Sequence, residues 1–157
     1  MSSEMDDAVA ALGPSIQQYQ AAVDDFDRET ARLLGVNGTD QRCLEILVDA
    51  GEYGLTPREI ADRLALTTGS VTTMLDRLEK AGYVSRSPHP DDGRRLLVHL
   101  TPLARETIWS IIGPHLAASS AMVADRFTAQ QLATVRSFLE AVTDVQRQHV
   151  EALRQRT

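Results

Sequence analysis

Residues 55–101 read LTPREIADRLALTTGSVTTMLDRLEKAGYVSRSPHPDDGRRLLVHLT, and the fold turns on where this stretch starts and stops its helices. Thr56-Pro57-Arg58-Glu59 is a capping box with proline at the first helical position. The threonine oxygen can accept from the third residue's amide, the glutamate can reach back, and proline lacks an N–H that a first turn leaves unpaired anyway. The helix it opens is expected to run to about Leu64 and to bury Ile60, Ala61 and Leu64. Only Ala65 and Leu66 separate it from Thr67, which can cap a second helix to about Ala81, with Gly82 as its stop. Val71, Leu75 and Leu78 share the buried face of that helix. Two short helices joined by so tight a turn make a helix-turn-helix. After Gly82 the period changes: residues 83–87 read as a short strand, and residues 95–101 alternate, Leu96, Val98 and Leu100 on one face, Leu97 and His99 on the other. The polar stretch between them holds Asp92-Gly93, a favoured pair for a hairpin turn. A hairpin directly after a helix-turn-helix is a wing.

Working outward, Thr39 is expected to cap a helix over residues 40–50, with Cys43, Leu44, Leu47 and Val48 as its apolar stripe and Gly51 as its end. Before it, Met5, Val9, Leu12, Ile16, Tyr19, Val23, Phe26, Thr30 and Leu33 recur at alternating steps of four and three. That is close to the seam of a coiled coil on one long helix, with Asp24, Asp25, Asp27 and Glu29 mostly off the stripe. Pro14 is expected to kink or restart this helix. The stripe is too narrow and long for one wall of a globular core, so it reads as partly intermolecular. Downstream, Thr101-Pro102 opens another helix, with Leu103, Ile108, Ile111, Ile112, Leu116 and Val123 as its expected buried residues and a kink at Gly113-Pro114. Thr128-Ala129-Gln130-Gln131 is a further capping box, followed by a stripe of Leu132, Val135, Phe138 with Leu139, Val142, Val145, His149 and Leu153. The expected fold is mainly α, a winged helix-turn-helix with a two-stranded wing between long terminal helices. Its parts are an N-terminal dimerisation helix over 1–36, the winged domain over 37–101, and linker and C-terminal dimerisation helices over 102–157.

The chain has 157 residues, 43% of them hydrophobic and 24% charged, which suits one globular domain with extensions and excludes disorder. Its single cysteine cannot form an internal disulfide, which favours a reducing compartment. No apolar run approaches the roughly 18 residues of a membrane span, and the acidic start lacks the basic residues of a signal peptide. A cytoplasmic location with no membrane partner is expected. A net charge of −6 argues against indiscriminate nucleic-acid binding. Residues 56–101, however, hold seven cations and six anions, so this segment is at +1 and the remainder at −7. No nucleophile elbow, phosphate loop, zinc-protease motif or positioned acid–base pair is present, so no enzyme is expected.

Residues 55–101 resemble the MarR family of bacterial transcriptional regulators. The specific pieces are LTTGSVT at the start of the second helix, LDRLEKAGYVSR leading into the wing, and Asp92-Gly93-Arg94 before LLVHLT. The flanking helices match in pattern rather than in residues. The resemblance implies a symmetric homodimer built from the terminal helices and a pseudo-palindromic operator in double-stranded DNA as partner. It often implies release by a small ligand as well; repression is favoured over activation, and no cofactor is implied. Ser70, Thr73 and Arg77 point away from the buried face of the second helix, with Thr72 at its side. Small hydroxyls let a helix enter a major groove about 12 Å wide and bond bases or phosphates. The motif match makes Ser70, Thr72, Thr73 and Arg77 the recognition-helix choices. Arg94 falls at the wing tip, where a long cation can enter a narrow, strongly negative minor groove. In the family the arginine of an Asp-x-Arg motif does this while the aspartate holds it, which here makes Asp92 the wing-orienting residue, acting through an ion pair. Arg95 is a second cation beside it, suited to phosphate. Arg86 is open to pairing with Asp76 or to phosphate contact.

One branch of the family senses peroxide through a cysteine near the start of its first long helix. Cys43 lies in the next helix on an apolar stripe, which favours a buried structural thiol. His89, His99, His115 and His149 are scattered, with no pair at helical spacing, so no metal site is expected. The family's effector place, between dimer helices and winged domain, makes Tyr19, Phe26, Trp109 and His115 candidates for lining a site for a small aromatic or amphipathic effector; the bland reading of each is packing. A second functional reading is a winged-helix interaction module that no longer binds DNA. Its hallmark would be a neutralised recognition helix and wing, and Arg77, Arg94 and Arg95 oppose it.

Overall fold

In the computed structural model, which describes residues 2–90 and 92–156, the Thr56 box forms as spelled. The Thr56 hydroxyl accepts from the Glu59 amide at 3.2 Å, and the Glu59 carboxylate accepts the Thr56 amide at 2.8 Å. This sets the start of α3 (Pro57–Leu64). Ala65 then takes a left-handed φ of 52°, a conformation costing a non-glycine residue roughly 1 kcal/mol, and in return the chain turns at once into α4 (Thr68–Lys80). Thr67 caps α4 by accepting from the Ser70 amide at 3.2 Å. The preceding helix α2 (Gly38–Ala50) starts differently from the sequence expectation. Its cap is Asn37, whose carboxamide oxygen accepts from the Asp40 amide at 2.9 Å, and Thr39 already lies in the first turn. Asparagine is at least as good a cap as threonine, and Gly35, at φ 67°, completes the reversal out of α1 (Ser2–Leu34) early enough to use it.

The core gathers where these helices converge. Leu44, Leu47, Ile60, Val71, Met74, Leu75, Leu78 and Val98 are fully buried, together with Cys43. Each large aliphatic side chain so buried contributes about 1.5–3 kcal/mol of transfer free energy. Met74, which the sequence pattern does not single out, shares the buried α4 face with Val71 and Leu78. Tyr83 joins this core to the end of α1 by donating its hydroxyl to the Leu34 carbonyl at 2.8 Å.

The wing is an antiparallel pair, β1 (Val84–His89) and β2 (Asp92–Leu100). Its turn is not at Asp92-Gly93: Asp92 pairs with His89, so the chain reverses between them, with Asp91 outside the described residues. The ladder then shifts register, since Pro88 pairs with Leu96. Gly93, Arg94 and Arg95 therefore bulge from β2 without Cα partners. At the root, Leu55 forms an isolated antiparallel bridge to Val98 through two backbone hydrogen bonds of 3.1 and 2.8 Å. Gly54 makes this possible: at φ 67°, a Cβ there would sit 2.6 Å from the His99 ring and the Val98 carbonyl oxygen.

The described chain divides into two compact units, one up to Gly113 and one from Pro114. The boundary falls inside α5 (Pro102–Arg126), which runs as one helix through Gly113 and Pro114, just as α1 continues through Pro14 without restarting. Thr101 starts α5 by accepting from the Ala104 amide at 3.1 Å while donating to the Gly82 carbonyl at 2.6 Å. That phase puts Ala104 and Ile108 into the core, and the two expected positions Leu103 and Leu116 are exposed instead. In the second unit the Thr128 box with Gln131 opens α6 (Ala129–Arg154), which has no buried residue of its own. Its stripe residues Leu132, Val135, Leu139, Val145 and Leu153 lie open. The α1 stripe is likewise open at Met5, Val9, Leu12 and Tyr19, and burial begins only at Thr30, Ala31 and Leu34. No helix among the described residues is long and apolar enough to cross a membrane.

Candidate nucleic-acid interface

With Val71, Met74, Leu75 and Leu78 turned inward, α4 presents Ser70, Thr72, Thr73 and Arg77 outward. Ser70, Thr73 and Arg77 share an open groove of about 680 Å³ with Asn37, Gly38, Thr39, Leu66 and Met74; Thr72 lies outside it. The hydroxyls are partly engaged by the helix. Thr72 donates to the Thr68 carbonyl at 3.0 Å, Thr73 to the Gly69 carbonyl at 3.2 Å, and the Ser70 and Thr67 hydroxyls are hydrogen-bonded to each other at 2.9 Å. With their protons so placed, the two threonines keep free oxygen lone pairs and methyl groups on the surface. That is the complement of an exocyclic base amine or a thymine methyl.

Arg77 differs from the other three. Its guanidinium is tied to Asp40 at two points, 2.6 and 3.2 Å, and Asp40 is a buried carboxylate. The hydrogen bonds and the charge of Asp40 hold the Arg77 guanidinium above its already high ordinary pKa. Asp40 escaped the sequence reading because no spacing rule connects residues 37 apart on different helices.

On the wing, Arg94 and Arg95 are exposed, and neither makes an ion pair with a described carboxylate. Asp92 does hold Arg94, but through the backbone: its carboxylate accepts the Arg94 amide at 3.1 Å. The expected ion pair to the guanidinium is thus replaced by an aspartate turn two residues long, which orients the main chain and leaves the cation outward. Arg95 is turned to another cleft, lined by Thr56, Pro57, Arg58 and Leu96. Arg86 pairs with Asp76 at 2.6 Å and Glu79 at 3.2 Å, joining β1 to α4.

Cys43 is fully buried, and burial, aided by the charge of Asp40, pushes its thiol up to about 12. Such a thiol holds almost no thiolate at neutral pH and is a poor redox sensor. Of the effector-site candidates, Tyr19 and Trp109 are exposed on α1 and α5 and Phe26 is half-buried on α1. His115 is exposed on the α5 segment of the second unit.

A tight two-helix turn, an exposed polar face on its second helix, and a hairpin carrying exposed arginines define a winged helix-turn-helix protein. The sequence model of the MarR family matches residues 34–95. The HTH-type transcriptional regulator YcgE of Bacillus subtilis is 34% identical over 130 residues, covering 83% of this chain and 82% of the relative. The chain belongs to the MarR family of DNA-binding transcriptional regulators. Among solved structures, apo MarR from Escherichia coli matches with a TM-score of 0.56 and 29% identity, over 83% of this chain and 95% of that one. MepR of Staphylococcus aureus, solved as a MepR–DNA complex, matches with a TM-score of 0.59 over 82% and 96%; at 16% identity the likeness is one of fold.

Proposed function

We propose that this chain acts in the cytoplasm as a homodimeric repressor on a pseudo-palindromic operator in double-stranded DNA. In this reading α4 enters the major groove through Ser70, Thr72 and Thr73. Arg94 enters the neighbouring minor groove, Arg95 meets backbone phosphate, and Arg77 acts at the groove edge while anchored to Asp40. The observation that carries the reading is Arg94: a cation set in an unladdered bulge, with its main chain held by Asp92 and its guanidinium free of described carboxylates. An exposed guanidinium on a held backbone suits a narrow groove of high negative potential. The MepR–DNA complex supports DNA as the ligand of this fold. The open apolar stripes of α1 and α6 support a second copy as the dimer partner.

Repression follows from occupancy, because a dimer spanning two half-sites in a promoter blocks access to it. Release is assigned to a small aromatic or amphipathic effector, with Tyr19, Phe26, Trp109 and His115 as its candidate contacts. The test is fluorescence anisotropy with duplex DNA from upstream of the protein's own gene, against scrambled duplex, over roughly 50–200 mM salt. Selective, steeply salt-dependent binding that weakens in Arg94→Ala supports the reading. Equal affinity for both duplexes, together with an empty selection from genomic fragments, overturns it and leaves the interaction-module alternative. Transcription from a promoter overlapping the bound site, with and without the protein, decides between repression and activation.

A further inference from the structure

Between the start of α3 and the wing lies a cleft of about 320 Å³, lined by Thr56, Pro57, Arg58, Arg95 and Leu96. Its two cations are open to solvent: Arg58 and Arg95 are exposed, and neither forms an ion pair with a described carboxylate. The Glu59 carboxylate feels the charge of Arg95 but makes no ion pair with it, and one of its oxygens is taken by both the amide and the hydroxyl of Thr56, at 2.8 and 2.7 Å. The helix terminus adds only the Arg58 amide to the attraction. Pro57 has no N–H, and the Thr56 and Glu59 amides are consumed within the capping box. The charged donors offered to an anion are the two guanidinia, carried by different elements and lining one cleft.

Their placement suggests the anion. Arg94 and Arg95 are neighbours in the same unladdered bulge, but Arg95 lines the α3-side cleft and Arg94 does not. A wing tip in a minor groove is flanked on each side by a sugar–phosphate strand. If Arg94 is in the groove, the cleft beside it faces one of those strands. We propose that Arg58 and Arg95 form a clamp on a backbone phosphate of the operator beside the wing, with Arg58 as a DNA-contacting residue on α3. The inference rests on the operator reading above and adds a site outside the recognition helix and wing tip.

A guanidinium pair on one phosphate gives affinity and register without reading a base. The experiment uses the full chain and its selected operator duplex, with Arg58→Ala, Arg95→Ala, the double variant and Arg94→Ala. Arg58→Ala is expected to weaken operator and scrambled duplex alike, by several-fold, and to make the logarithmic salt slope shallower by about 0.9, the value for one phosphate. The double variant should be less damaging than the product of the singles, since both act on one phosphate. A duplex with neutral methylphosphonate linkages beside the minor-groove contact should bind wild type and Arg58→Ala equally. Thermal melting checks that the variants fold; an Arg58→Lys protein covers the case in which alanine disturbs α3. If Arg94→Ala loses selective binding while Arg58→Ala and Arg95→Ala keep wild-type affinity and slope, the clamp is wrong and the operator reading stands. If the wild-type chain selects no DNA, both fall together.

Discussion

Arg77 and Asp40 form a two-point ion pair, Nη2 to Oδ1 at 2.6 Å and Nε to Oδ2 at 3.2 Å, that ties the recognition helix to the start of α2. Asp40 is buried, whereas the Arg77 side chain is about half exposed at 48%. One edge of the guanidinium is thus spent on the fold and the other faces the groove shared with Ser70 and Thr73. Asp40→Asn should lower both Tm and operator affinity, and Arg77→Ala combined with it should add little to either single change. Full additivity in melting and anisotropy would show that Arg77 meets DNA independently of Asp40.

The aspartate turn at the wing makes a sharper distinction. Because Asp92 accepts the Arg94 amide rather than pairing with its guanidinium, an uncharged acceptor can replace it. Asp92→Asn should keep operator affinity within a few-fold of wild type, Asp92→Ala should weaken it further, and Arg94→Ala should weaken it most. Anisotropy titrations of the three variants at one salt concentration check the order. Equal losses for Asp92→Asn and Arg94→Ala would restore the ion pair as the orienting contact.

Thr56→Ala removes a complete capping box and should destabilise the chain by about 1 kcal/mol in urea at neutral pH. The Glu59 carboxyl is held below its ordinary range, chiefly by the hydroxyl and then the amide of Thr56. A depressed carboxyl stabilises the fold above its unfolded pKa of about 4.3, and that contribution is lost as pH falls through the folded value. The gap between wild type and Thr56→Ala should therefore narrow below about pH 4. A pH-independent gap would remove the charge from the explanation.

Cys43 should resist iodoacetamide in the native protein at pH 8 and react fully in denaturant. With the folded thiol pushed up to about 12, the unfolded chain deprotonates first, from about pH 8.5. Stability should accordingly decline as pH rises from there toward 12, less so in Cys43→Ala. Stoichiometric native alkylation at pH 8 would return the thiol to consideration as a sensor.

The open stripe of α1 predicts a change of assembly. Light scattering at micromolar concentration should give twice the chain mass for wild type, and Leu12→Asp with Tyr19→Asp should shift it toward the single chain and weaken operator binding. An unchanged dimer would place the interface elsewhere.

Sequence patterning was most informative where local chemistry decides the outcome. The Thr56 and Thr128 boxes, the Thr67 cap and the positive-φ stop at Gly82 each depend on neighbours within a few residues, and all stand as read. Readings failed where two local solutions compete or where distant elements meet. Asn37 and Thr39 are both competent caps, and only the geometry of the turn after α1 selects the former. Asp92-Gly93 is a good turn pair, yet it lies inside β2, because a register shift there accommodates the extra residues. The Leu55 bridge, the Asp40–Arg77 pair and the Arg58–Arg95 cleft join elements across the fold, and nothing in local spacing announces them.

Leu55, which bridges Val98, immediately precedes the cap of α3, so the root of the wing is part of the same ladder that launches the helix-turn-helix. A hairpin tethered only at its two ends would have to surrender its orientational freedom on meeting DNA, a loss of roughly 1–2 kcal/mol for each residue fixed. Here the root is already ordered in the unbound chain, and the cost of fixing it falls on folding. Encounter with a groove then asks new order chiefly of residues 93–95. Substitutions at the tip should change how tightly and where the wing settles, whereas damage at Gly54 or Leu55 should act as an entropic penalty on every duplex alike.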